Sequence, residues 1–172
     1  MKRYFIWLAM GLWLVSTGFA PGAFEVYSKA VKFAKAGQDH FAFMQYNDLL
    51  RNYPMSKYRE QALFALGEYY FQMPNLRKAR EYFDTYLKEF PDSKERLYAL
   101  AYLLNIAGQN KNDTVIQELE KQIINLQQVS LIFRDSKEIS YRSPLYRKYN
   151  TVIHINNIEF YVEGELFAKV SY

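Results

Sequence analysis

Apolar side chains recur at helical spacing through most of the chain, and one stretch of this pattern occurs twice. The first stripe consists of Ala42, Tyr46, Leu49 and Tyr53. Its copy, at a shift of 37 residues (42 to 79, 46 to 83), consists of Ala79, Phe83, Tyr86 and Phe90. Residues three and four apart lie on one face of a helix. Each stripe therefore predicts a helix with one buried face.

The same shift relates most of residues 23–91 to their counterparts further along. Tyr27 maps to Phe64, and Ala30 maps to Gly67. A fixed period of this length predicts stacked pairs of helices, each too thin to bury its apolar face alone. The small side chains of Ala30 and Gly67 predict that a neighbouring helix crosses closely at these positions.

Helix ends are marked in both copies. Pro54 and Pro91 end a helix because the ring clashes with the preceding turn. Ser56 is predicted to cap the next helix, and Asp92 with Glu95 resembles a capping box. Six helices are predicted, at 24–36, 39–52, 56–72, 75–89, 93–107 and 113–127. The third pair is degenerate, because Glu120 stands where the aromatic residue belongs and no proline closes it.

From Val129 the pattern changes to short runs rich in β-branched and aromatic residues. Up to five antiparallel strands are predicted, in the runs VSLIFRD, EISYRS, TVIHI, IEFYV and ELFAKVSY. Two-residue turns are predicted at Asn156–Asn157 and Glu163–Gly164, since Asn and Gly tolerate positive φ. The last strand would place Leu166, Ala168, Val170 and Tyr172 on one face. The fold class is mainly α: an α-solenoid of about three helix pairs followed by a small antiparallel sheet, α+β overall.

Residues 1–22 carry a basic start, an apolar run from Ile6 to Val15 and then small residues. This order is typical of a secretory signal, which predicts an exported protein whose mature chain begins near Ala23. A retained N-terminal anchor is the alternative. The predicted domains are then the signal or anchor (1–22), the helical repeats (23–128) and the β meander (129–172). The 172 residues contain no cysteine, so they hold neither a disulfide nor a thiol that could carry a lipid.

Composition favours a packed core and offers little chemistry. Half of the residues are apolar, 18% are aromatic and the formal charge is only +4, which argues against nucleic acid as a partner. His40 and His154 lie far apart without metal-ligand spacing. Glu68 and Glu81 could form a carboxylate pair, but acids on helices are usually solvated. No phosphate loop or nucleophile motif appears, so neither an enzyme nor a cofactor is expected.

The helix pairs resemble the tetratricopeptide repeat, whose signature runs from a bulky residue through Leu-Gly and Tyr to Ala, Phe and Pro. Here that series is Leu63, Leu66, Gly67, Tyr70, Ala79, Phe83 and Pro91. The longer period resembles the bacterial exported subgroup, which includes the outer-membrane assembly lipoprotein and the repeat protein of the Tol–Pal system. The resemblance covers about residues 24–127.

The resemblance implies that the first helix of each pair lines a concave groove for a peptide or protein of the envelope. The inward positions carried over are Tyr27, Val31, Lys35, Phe64, Glu68, Phe71, Gln72, Tyr98, Ala101 and Asn105. The alternative is that these aromatic residues pack against the adjacent helix pair or the tail sheet. The implied function is a non-enzymatic scaffold that faces the periplasm.

Two other functions remain open. One is a structural component that oligomerises or tethers envelope components through the sheet. The other is a carbohydrate-active or barrel-associated domain built on the tail.

Overall fold

Six helices precede four strands in the part of the chain that the computed structural model describes, residues 22–132 and 137–171. The helices are α1 (Ala23–Lys35), α2 (Asp39–Asn52), α3 (Arg59–Gln72), α4 (Leu76–Glu89), α5 (Arg96–Gln109) and α6 (Asp113–Ile132). The strands are β1 (Lys137–Arg142), β2 (Lys148–Ile153), β3 (Asn157–Val162) and β4 (Glu165–Ser171). The predicted helical repeat followed by a small antiparallel sheet is confirmed.

The repeated stripes are buried, as their spacing predicted, except for their last members, Tyr53 and Phe90, which are half-buried. Ala42, Tyr46 and Leu49 have no exposed surface, and neither do Ala79 and Phe83. Gly67 also lies where the close crossing was expected. A Cβ atom built on it would lie 2.8 Å from two carbons of the Phe83 ring.

Two helices begin later than predicted, because each serine starts a turn ahead of its helix. The Arg59 amide donates to the Ser56 carbonyl at 3.0 Å, and the Arg96 amide donates to the Ser93 carbonyl at 3.3 Å. The Ser93 hydroxyl accepts from the Glu95 amide and donates to the Glu95 carboxylate. The expected capping box between Asp92 and Glu95 is therefore wrong, since Ser93 takes the place of Asp92.

The four strands form an antiparallel meander in the order β1-β2-β3-β4. The run VSLIFRD was wrongly predicted as a strand in its first part, because α6 continues to Ile132. Glu163 and Gly164 form the predicted turn, with φ of 52° and 88°. The turn predicted at Asn156–Asn157 is misplaced, because the turn comprises residues 154–156 and Asn157 is the first residue of β3.

An irregularity in β4 changes the face that its side chains present. Phe160 pairs with Ala168, whereas the next residue, Tyr161, pairs with Leu166. Phe167 is therefore the extra residue of a bulge. Leu166, predicted to share one face with Val170, is 56% exposed, while Val170 is fully buried. Tyr172 lies outside the described residues.

The sheet and the helices share one core. Tyr149, Phe160 and Val170 belong to the same buried cluster as Phe64 and Leu100. A second cluster lies between the first and second helix pairs and includes Leu145 from the loop that joins β1 to β2. We call residues 143–147 the β1–β2 loop. Through it and the strands, the tail contacts all three helix pairs.

Candidate functional site

The concave surface of the helix pairs, predicted as a partner groove, is largely covered by the sheet. The Tyr98 ring stacks on Tyr141 of β1 at a centroid distance of 4.9 Å and an angle of 15°. Phe64 is 1% exposed, and its ring meets Tyr141 at 6.1 Å and Tyr149 at 6.5 Å. Ala101 is 2% exposed. The inward residues of the second and third pairs therefore pack as the alternative described, against the sheet and the adjacent helices.

The far end of this surface contacts the bulge of β4. The Phe71 ring lies 5.5 Å from that of Phe167. The Asn105 side-chain amide donates to the Phe167 carbonyl at 2.8 Å. Gln72, the last residue of α3, is half-buried. The bulge thus presents both a ring and a carbonyl to the helices.

Glu68 is a carboxyl group with no exposed surface, enclosed between α3 and the sheet. The Tyr149 hydroxyl donates to its Oε1 atom, and the Tyr102 and Tyr149 hydroxyls are joined by a hydrogen bond of 2.5 Å. Burial raises the pKa of Glu68 to about 7. The Tyr149 and Ser143 hydroxyls, the charge of Arg147 and the Leu145 amide each oppose that rise. Burial likewise raises the pKa of Tyr102 and Tyr149.

The expectation that Glu68 is solvated, like most helix acids, is wrong. Every residue from Ala62 to Tyr69 is buried, because α3 is covered by neighbouring helices on its sides and by the tail on its inner face. One signal was available in the sequence. Glu68 is the only charged residue in the run ALFALGEYYF.

The β1–β2 loop is fastened to the first helix pair. The Tyr46 hydroxyl donates to the Pro144 carbonyl at 3.0 Å. The Arg147 guanidinium forms an ion pair with Asp39, the first residue of α2, at 3.0 Å. Leu145, 3% exposed, fills the space between the first two pairs. Apolar and polar contacts together hold the loop against the helices.

An open cleft of about 280 Å³ remains where this loop meets the first helix pair. We call it the N-terminal cleft; its lining residues are Tyr27, Val31, Gln61, Glu95, Tyr141, Arg142, Ser143, Pro144 and Tyr146. Tyr27 stacks on Tyr58 at 4.1 Å. Lys35 is exposed, and its amino group lies 5.2 Å from the centre of the Tyr146 ring. The inward residues of the first pair thus remain accessible.

The tail residues of this cleft, such as Arg142 and Tyr146, were missed by the sequence reasoning. No repeat or family pattern covered the tail, so nothing related its residues to the groove. Tyr146 has a φ of 66°, which marks a tight loop, but its sequence neighbours contain no glycine that would signal one.

Within the described ranges, no group of three or more His, Asp or Glu side chains could hold a metal ion. His40 lies at the start of α2, as expected, and its Nδ1 atom is 2.8 Å from the Tyr69 hydroxyl. His154 follows β2 and faces Glu159 at 3.4 Å. None of the helices within the described ranges is long and apolar enough to cross a membrane.

Comparison with known proteins gives one family. The family model described as YfiO: Outer membrane lipoprotein matches residues 21–151. No curated protein matches the chain significantly. The family match begins just before α1 and ends within β2, so it extends beyond the repeats to which the sequence resemblance was assigned.

Proposed function

The chain belongs to the family of the outer membrane lipoprotein YfiO, a family of tetratricopeptide-type proteins of the bacterial envelope, and we propose that it is a non-enzymatic scaffold. It binds an extended segment of an envelope protein in the N-terminal cleft. Residues 1–22 act as its signal or anchor, and the scaffold faces the periplasm.

The observation that carries this proposal is the accessibility of the first helix pair. Tyr27, Val31 and Lys35 border open space, whereas Phe64 and Tyr98 lie beneath the sheet. Three tyrosines, a valine and a proline form the apolar part of the cleft walls, which suits an apolar anchor residue of a partner.

Charged groups at the cleft would orient the bound segment. Arg142 lines it, and Lys35 lies beside it at Tyr146. Glu95 contributes the opposite charge. Charges at the rim of a site affect specificity and association rate more than affinity. A segment with an apolar centre and charges on both sides fits this arrangement.

A partner that used the whole predicted groove would have to displace the sheet. It would then have to replace the contacts of Phe64, Phe71 and Tyr98 and the hydrogen bonds of Glu68 and Asn105. Confining the partner to the cleft avoids that cost, because the sheet stays in place.

Val31→Asp is expected to weaken capture of the partner, since it places a carboxylate on the apolar wall of the cleft. The full chain, native and mutant, is immobilised and exposed to envelope extract, and bound proteins are quantified by mass spectrometry. We expect at least one protein whose recovery falls about tenfold or more, equivalent to about 1.4 kcal/mol.

The matched control is Met44→Asp, which introduces the same charge on the outer face of α2, where Met44 is 49% exposed. It should retain the partner, and melting curves of both variants should show that each is folded. Equal recovery of every protein by native chain and Val31→Asp would remove the cleft as the binding site.

A second function is favoured by the edge of the sheet. β1 has a strand partner on one side only within the described residues, so its other side can pair with a second chain. This would make the protein an oligomerising or tethering component. Recovery of the chain's own copies, undiminished by Val31→Asp, would support that function instead.

A further inference from the structure

A cavity of about 360 Å³ lies on the side of the repeats that is formed by the second helices of the pairs, between α4 and α6. Leu103 and Ala107 of α5 and Leu119 of α6 give it an apolar lining. Arg80 and Asp84 of α4 line it as well and form an exposed ion pair of 3.4 Å. Neither the sheet nor the β1–β2 loop contributes a lining residue, so this cavity is separate from the N-terminal cleft.

The preceding junction, between the first and second helix pairs, shows what fills the corresponding space. The Tyr70 ring stacks on Tyr82 at 5.5 Å and 14°, and Phe43 meets it edge-on at 5.4 Å. The Lys78 amino group lies 4.8 Å from the centre of the same ring. A tyrosine ring therefore fills this junction, with an aromatic face on one side and a cation beside it.

The 37-residue shift leads from these four residues to four that line the cavity. Their counterparts, in the order Phe43, Tyr70, Lys78 and Tyr82, are Arg80, Ala107, Val115 and Leu119. The central tyrosine has become alanine, so the ring that would fill the space is missing. The cavity is thus a direct result of how the third repeat diverges from the second.

We propose that this cavity binds a tyrosine side chain of a partner protein. Its lining is that of a repeat junction in which Ala107 replaces the central tyrosine and Leu119 replaces the tyrosine stacked on it, while the apolar Val115 stands in the place of Lys78. Arg80, in the place of Phe43, brings a guanidinium that can stack on the incoming ring. The carboxylates of Asp84 and Glu118, which also line the cavity, can accept the phenolic hydroxyl.

This inference goes beyond the proposed scaffold function, because it places a second contact on the opposite side of the helices. A partner held at both sites would gain from effective concentration without any other new contact. The two sites are separable by experiment, since no lining residue is common to both.

The test uses p-cresol, which has the structure of a tyrosine side chain. It is titrated into the full-length protein, and binding is followed by NMR of the methyl groups of Leu103, Ala107 and Leu119. We expect saturable binding with shifts confined to these residues. Ala107→Tyr restores the missing ring and should weaken p-cresol binding about tenfold or more.

Two further variants separate binding from folding. Ala107→Leu fills part of the cavity with a side chain smaller than tyrosine and should also weaken binding. Arg80→Ala removes a guanidinium that is about half exposed and should weaken binding severalfold while the melting temperature stays unchanged. Absence of saturable binding to the native chain, or equal binding to native chain and a folded Ala107 variant, would overturn the proposal.

Discussion

Replacing Glu68 with glutamine is expected to stabilise the protein at pH 8 and to remove the pH dependence of stability that is expected of the native chain. The pKa of Glu68 is raised by burial from 4.5 to about 7. Between these values the unfolded state releases the proton first, so the free energy of unfolding falls as pH rises. The contribution of Glu68 is complete below about pH 4.5 and lost above about pH 7.

The expected magnitude is roughly 3 kcal/mol, because each pKa unit between 4.5 and about 7 corresponds to about 1.36 kcal/mol. The measurement is the difference in unfolding free energy between Glu68→Gln and native chain, from urea denaturation at several pH values. That difference should rise in favour of the variant from pH 4.5 to 8. Glu81→Gln, on the exposed face of α4, is the matched control. A difference that does not change with pH would show that Glu68 is not buried as described.

Gly67→Leu is expected to destabilise the protein by about 1–3 kcal/mol through overpacking. Any Cβ atom at this position would lie 2.8 Å from the Phe83 ring. That ring has little room to move, because it is fully buried and stacks on Tyr102 at 4.6 Å. The measurement is the urea midpoint and slope of the variant against the native chain.

Gly108→Ala is the control, because it also replaces a glycine within a helix but at a position where the new side chain has room. Gly108 lies in α5, and apart from its chain neighbours and its own helix backbone nothing lies within 4 Å of its Cβ position. Alanine is the better helix former, so this variant should be neutral or more stable by up to about 1 kcal/mol. Gly67→Leu with native stability would contradict the close crossing of α3 and α4.

The helical part of the fold was predictable from the sequence because the spacing that determines which residues are buried is local and recurs in each repeat. Burial of Tyr46 and Phe83 follows from their spacing, and Gly67 was placed correctly by its match to Ala30. The errors at helix ends have a local cause too. Ser56 and Ser93 each start a turn ahead of the helix, which leaves the same sequence signal as a cap.

The tail was harder, because strand faces depend on pairing rather than on spacing. The bulge at Phe167 moves Leu166 from the buried face to solvent, and a strict alternation of residues cannot reveal it. Residues 129–132 are apolar and β-branched in part, yet they continue α6. Helix and strand are not separable by periodicity in such short runs.

The covering of the groove was beyond sequence reasoning for a different reason. The pattern places Phe64 and Tyr98 on the inward face, but it does not say what meets that face. The contacts come from Tyr141 and Tyr149, more than 40 residues away in sequence, and from a loop that no motif marks. Both alternatives for these residues were consistent with the same periodicity, and only the tertiary arrangement separates them.

The central claim is that the C-terminal sheet packs in the concave surface of the repeats, and a double-mutant cycle between Phe71 and Phe167 tests it most directly. The two rings lie 5.5 Å apart, one on α3 and one on β4, and both side chains are only partly buried. Unfolding free energies are measured for Phe71→Ala, Phe167→Ala and the double variant. A docked sheet predicts a coupling of about 0.5–1.5 kcal/mol. Additive effects, with a coupling indistinguishable from zero, would contradict the docking of the sheet on the helices.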